Sequence, residues 1–143
     1  MAAALRLTLA SDLAEIARLA AAVEAFADDR ALPPEAASAL SIALDEIVAN
    51  VIRHGYGDGR DGPIHVEVRI DGSRVIAVVE DRAPRFDPFA LPPPDTHAPL
   101  EDRAIGGLGI HLVRTLMDEA VYDGTPAGNR VTLVKLIAPA DGD

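Results

Sequence analysis

Residues 5–9 alternate apolar and polar side chains, the period of a half-buried strand. Asp12-Leu13-Ala14-Glu15 follows with the spacing of a capping box and predicts a helix to about Asp28. Along it Leu13, Ile16, Leu19, Ala20, Val23 and Phe26 recur as one apolar stripe to be buried. Pro33-Pro34-Glu35 combines a fixed φ with a carboxylate near the positive end of a helix dipole, and predicts a second helix to about His54. Glycines at 55, 57, 59 and 62 end it. Residues 64–70 and 74–80 alternate again and meet at Asp71-Gly72, a favoured tight-turn pair, which predicts a hairpin. Past residue 106 the pattern gives a short apolar helix through Ile110, Leu112, Val113, Leu116 and Met117, then strands at 120–123 and 130–137. The order β-α-α-β-β-loop-α-β-β is neither a βαβ repeat nor a run of strands. It predicts an α+β fold, a two-layer sandwich with helices on one face of a mixed, mostly antiparallel sheet.

Six of the eleven prolines fall within residues 82–103, which rules out a long helix or an interior strand there. Loops of about twenty residues inside a compact domain are either functional or disordered. The position of this one, between two motif-like segments, favours a lid at about residues 82–105. With 143 residues, about half of them apolar, the expectation is a single domain over 1–143.

Charge narrows the function classes. A formal net charge of −10 repels nucleic-acid phosphates and gives no attraction to an anionic membrane, so neither is expected as a partner. Cysteine is absent, which removes disulfides, thiolate metal sites and thiol nucleophiles. No leader-like apolar stretch opens the chain and no run approaches the roughly 20 residues that span a bilayer, so a cytoplasmic protein is expected.

Candidate chemistry lies at three places. On the second helix Leu40, Leu44, Ile47, Val48 and Val51 occupy one apolar sector about 80° wide, while Glu46, Asn50 and His54, spaced i, i+4, i+8, form a polar stripe along its border. The stripe is either a solvated flank or the edge of a pocket. As a pocket edge it would offer an amide oxygen, a hard ligand for Mg²⁺, and a carboxylate one turn earlier able to take a hydroxyl proton. His54 suits either a phosphate contact or the favourable end of a helix dipole. Asp81, where the third strand breaks into Arg82-Ala83-Pro84, is either a turn cap or an acceptor for an exocyclic amine; the latter selects adenine, because guanine presents a carbonyl there. Gly106-Gly107-Leu108-Gly109 can turn N–H groups toward a phosphate at a helix start, yet it fits neither a P-loop nor a dinucleotide-binding fingerprint.

Taken in order, Glu46-xxx-Asn50 with His54 and Tyr56, Asp81 through Phe86-Asp87-Pro88, Gly106-Gly107-Leu108-Gly109-Ile110, and Asn129-Arg130-Val131-Thr132-Leu133 resemble the boxes and last strand of GHKL ATP-binding domains. Within that superfamily the chain is similar to the anti-sigma factors with serine kinase activity, from about Leu5 to Ile137. The resemblance implies ATP and Mg²⁺ as cofactors. Asn50 is then the metal ligand, Glu46 the catalytic base, Asp81 the adenine contact, Gly107 and Gly109 the phosphate turn, and Thr132 a second contact near the base. His54 and Arg103 are the remaining phosphate candidates. Ala83 departs from the family, which usually has glycine there, and puts the freedom of that turn in doubt. Partners implied are a sigma factor, an anti-anti-sigma protein bearing the target serine, and a second copy in a homodimer. Two other functions stay open, a nucleotide-dependent binding module without transfer and a separated domain that phosphorylates a histidine.

Overall fold

The computed structural model describes residues 4–57, 61–90 and 107–137. Its strands are β1 (Leu5–Leu9), β2 (Ile64–Asp71), β3 (Arg74–Asp81), β4 (Glu119–Gly124) and β5 (Asn129–Leu136). They form one sheet in the order β1-β2-β3-β5-β4, and all four ladders are antiparallel. The expected α+β layering holds. The expected β2–β3 hairpin forms, but its two-residue loop is Gly72-Ser73, with Asp71 still paired to Arg74 and Gly72 at φ +62°.

The helices are α1 (Glu15–Asp29), α2 (Pro34–Asn50) and α3 (Gly107–Leu116). The alternation on β3 sends Val75, Ala77, Val79 and Asp81 to one face, and Val131 and Leu133 on β5 point the same way. Against that face α2 lays the apolar sector read from its sequence: Leu40, Leu44, Ile47 and Val48 are almost fully buried, each side chain contributing roughly 1.5–3 kcal/mol of hydrophobic stabilisation. Packed between α1 and α3 and over β3 and β5, α2 is the central helix of its layer. Leu19, Val23 and Phe26 of α1 and Ile110 and Val113 of α3 complete the core.

Two boundaries differ from the sequence expectation. Helix α1 begins at Glu15 instead of Asp12, because Asp12 Oδ1 accepts the Ala14 N–H in a local turn and Glu15 Oε2 accepts the N–H of Ala10, earlier than capping-box geometry requires. Leu13 is therefore outside the helix and exposed, not part of its stripe. The second difference affects the site. After Asn50 the helix widens into a π-helical turn, Val51–Tyr56, closed by Gly57 N–H donating to Ile52 O at 3.2 Å. The i, i+5 spacing places Val51 and Tyr56 together in the core, where an α-helix would have turned one of them away.

Candidate functional site

Between α2 and the ends of β3 and β5 lies a pocket lined by Ile47, Asn50, Val51, Gly55, Asp81, Phe86, Pro88, Asn129 and Val131. Asp81 and Asn129 are register partners on neighbouring strands, and both are buried. Asp81 Oδ1 accepts two hydrogen bonds, from the Ala83 N–H at 2.8 Å and from Asn129 Nδ2 at 2.9 Å. Its Oδ2 accepts none among the described residues. Burial pushes the Asp81 carboxyl above its ordinary range, and the two hydrogen bonds oppose that shift without cancelling it. The pocket thus carries a carboxylate whose second oxygen is free to accept a hydrogen bond.

Asn129, which belongs to the last-strand motif but carries no expected role there, is the hub of this turn. Its Oδ1 accepts the Phe86 N–H at 3.0 Å and the Tyr122 hydroxyl at 2.5 Å, and its Nδ2 also donates to the Pro84 and Ala83 carbonyls. Just before it, Gly128 is packed so closely that a Cβ would overlap the Asp81 carbonyl oxygen and lie 2.7 Å from the Arg82 Cα. A second clamp comes from the π turn: Tyr56 Oη donates to the Pro63 carbonyl at 2.7 Å and accepts the Arg82 N–H at 2.9 Å. Ala83, the departure from the family pattern, is buried without a positive φ, and its methyl sits 3.2 Å from where a Cβ on residue 55 would be. Glycine at 55 makes room for alanine at 83.

The candidate base meets the glycine turn. A Cβ on Gly109 would overlap the Glu46 carboxylate and lie 2.8 Å from its Cδ, so Glu46 of α2 packs directly on the first turn of α3. Glu46 and Asn50 are both half-buried, one turn apart. Asp45, next to Glu46, has a carboxylate oxygen, Oδ1, that is buried without a partner; burial first, and then the neighbouring Glu46 charge, raise its carboxyl above the usual range. Arg114 of α3 lies 5.9 Å from the Phe89 ring centroid and donates to the Phe89 carbonyl at 3.2 Å, which joins α3 to the 3₁₀ turn Pro88–Ala90.

The structure does not assemble every expected residue. Thr132 is aligned with Val78 and Val121, and because Val131 lines the pocket, Thr132 points to the face of the sheet opposite α2. The polar group beside Asp81 is Asn129 instead. His54 is exposed on the π turn, whose extra residue breaks the i, i+8 register with Glu46, and it does not line the pocket. Residues 91–106, with Arg103 and most of the expected lid, lie outside the described residues, and Gly107 is described only as the start of α3. Among the described residues no three His, Cys, Asp or Glu side chains converge on a metal position. Asn50 lines the pocket with an amide, whose oxygen is the kind of hard donor that Mg²⁺ takes alongside phosphates and water. No helix among them is long and apolar enough to cross a membrane.

Fold and pocket together define a layered α+β domain with a buried carboxylate at the pocket beside the central helix and a glycine-containing helix start packed against the same helix. Residues 9–135 match the histidine kinase-like ATPase domain, and the chain belongs to that family. It is 33% identical over 104 residues to a serine-protein kinase RsbW of Bacillus pumilus, covering 68% of this chain and 64% of that protein. Over 101 residues it is 31% identical to the serine/threonine-protein kinase BtrW of Bordetella bronchiseptica, covering 70% of each. With a serine-protein kinase RsbW of Listeria monocytogenes it shares 34% identity over 109 residues, 72% of this chain and 68% of the other. The chain thus spans about two thirds of the length of these relatives. A crystal structure of the RsbU and RsbW domains of a Mycobacterium tuberculosis protein superposes with a TM-score of 0.68 over 94% of this chain and 32% of that one, at 18% identity, a likeness of fold.

Proposed function

We infer that the chain is an ATP-dependent anti-sigma factor that phosphorylates a serine on an anti-anti-sigma protein. The observation that carries this reading is the packing of the Glu46 carboxylate on Gly109, which sets a proton acceptor beside the backbone turn where a terminal phosphate would be held. Family membership and relatives named as serine kinases support it.

In this reading Asp81 accepts the adenine amino group through its unpaired Oδ2, and Gly107 and Gly109 present backbone N–H groups to phosphate. Asn50 ligates Mg²⁺, which when bound neutralises phosphate charge during transfer. Glu46 accepts the serine proton. The pocket cavity is about 20 Å³, room for little more than a water, so a purine enters only as the side chains lining the pocket move apart. Arg103 remains a proposed phosphate contact, and a sigma factor and a second copy of the chain are the remaining proposed partners.

The test is Glu46→Gln in single-turnover transfer to the cognate anti-anti-sigma protein. The isosteric amide should keep ATP affinity and lower transfer by about 10²–10⁴-fold. Equal rates in wild type and variant would remove Glu46 as the base. ATP and partner binding with no transfer by the wild type would make the chain a nucleotide-dependent binding module.

A further inference from the structure

Adenine selection by Asp81 requires that the carboxylate show the pocket an acceptor and nothing else. A carboxylate alone does not guarantee this, because a buried Asp can protonate, rotate, or collapse onto a neighbouring donor. What holds Asp81 in place is on β5. Asn129 Nδ2 donates to Oδ1 at 2.9 Å, which together with the Ala83 N–H at 2.8 Å saturates that oxygen and leaves Oδ2 toward the pocket. The amide itself has one workable orientation. Its Oδ1 receives the Phe86 N–H, which can only donate, and the Tyr122 hydroxyl; its Nδ2 faces the Asp81 carboxylate and the carbonyls of Ala83 and Pro84, which can only accept. Turning the amide over would set its N–H groups against the Phe86 N–H and its oxygen against three acceptors.

We infer that Asn129 is the positioning residue that sets purine choice at this site, acting through Asp81, and that the Tyr122 hydroxyl helps hold the amide in place. The inference rests on the reading of this pocket as the base site. It goes further in assigning the selectivity to a β5 amide and a β4 phenol, 48 and 41 residues from Asp81 in sequence, instead of to the carboxylate alone. The same amide carries the backbone of Pro84 and Phe86, so the base acceptor and the pocket rim share one anchor.

Two substitutions separate positioning from mere support of the fold. Asn129→Asp keeps the shape but places a second carboxylate against Asp81. Two carboxylates so close cannot both ionise, so a proton is held between them and the pocket no longer faces a fixed acceptor. Tyr122→Phe keeps the ring packing and removes the O–H that bonds the amide oxygen and helps hold it in place. The measurement is equilibrium affinity for ADP and GDP at one Mg²⁺ concentration, by competition with a fluorescent nucleotide, alongside thermal unfolding of each variant. Wild type should prefer ADP. The ADP-to-GDP affinity ratio should fall about 10- to 100-fold in Asn129→Asp, and severalfold in Tyr122→Phe, which also serves if the first variant does not fold. A ratio that stays at the wild-type value in folded variants, or losses of ADP and GDP affinity in equal proportion, overturns the inference and leaves Asn129 as a fold element. A wild type that binds ADP and GDP equally removes the base-site reading, and the inference with it, before any variant is made.

Discussion

Replacing Asp81 by Asn tests the pocket chemistry and the electrostatics at once. The Ala83 N–H and Asn129 Nδ2 both donate to Asp81 Oδ1, so an amide at 81 must keep its oxygen there and turn its NH₂ toward the pocket. An adenine amino group would then meet a donor. Leaving such a group unpaired costs about 1–3 kcal/mol, a loss of roughly 5- to 150-fold in ATP affinity, while the guanine carbonyl gains a partner. The stability effect has a definite sign. Burial raises the folded-state pKa of Asp81 above the ordinary 3.8, so the folded protein binds the proton more tightly than the unfolded chain does. Stability from this group is full below pH 3.8 and is lost as the pH rises through the raised value. Each pKa unit of that rise corresponds to about 1.4 kcal/mol at neutral pH. Asp45 shifts in the same direction but is present in both proteins and cancels from the difference. Urea unfolding of wild type and Asp81→Asn at pH 4 and pH 7.5, with ATP and GTP titrations at the higher pH, reads out both effects. The variant should gain stability relative to wild type between the two pH values and lose its preference for ATP. Parallel pH dependences would refute the buried-carboxylate argument, and an unchanged ATP preference would refute the acceptor role.

Asn50→Ala should lose the Mg²⁺-dependent part of ATP affinity and keep the metal-free part, which calorimetry with and without Mg²⁺ measures; equal affinities in Mg²⁺ would take Asn50 out of the site. Gly109→Ala adds a methyl where the Glu46 carboxylate lies, so transfer should fall at least about tenfold with adenine selectivity kept, and an unaltered single-turnover rate would count against the Glu46–Gly109 packing. Asp45→Ala removes a buried oxygen without a partner from mid-helix and should raise stability at pH 7.5 by about 1 kcal/mol, seen as a higher urea midpoint with unchanged slope; destabilisation would mean that the carboxylate serves another group.

Much of this architecture is legible along the chain because it rests on local periods. The apolar sector of α2 is a 3.6-residue pattern, the β2–β3 hairpin is a two-residue pattern with a turn pair, and Asp81 falls at the pocket because a strand ends there. What escapes local reading depends on a single residue of phase. One extra residue in the π turn after Asn50 removes His54 from a stripe that a uniform helix would have kept, and a single turn of that kind has no periodic signature. One residue of parity on β5 separates Val131 in the pocket from Thr132 on the opposite face, since a shift of one flips every side chain of a strand.

The role of Asn129 was hidden for a different reason. Its partners lie on β3, on the turn beyond it and on β4, so its chemistry exists only once three strands are paired in register. The Ala83 departure follows the same logic. Judged on its own turn, alanine in place of glycine restricts the backbone, yet its compatibility is decided by Gly55, 28 residues earlier, whose missing side chain gives the methyl its space. Gly109 and Glu46 form a third such pair, with glycine on one element making room for a side chain from another. In this fold the glycines near the pocket act as sites of close approach as much as turn formers. A variant library that changes residue 55 together with 83, or 109 together with 46, should therefore show larger departures from additivity than one that changes residues within either turn alone, because the paired side chains share one space.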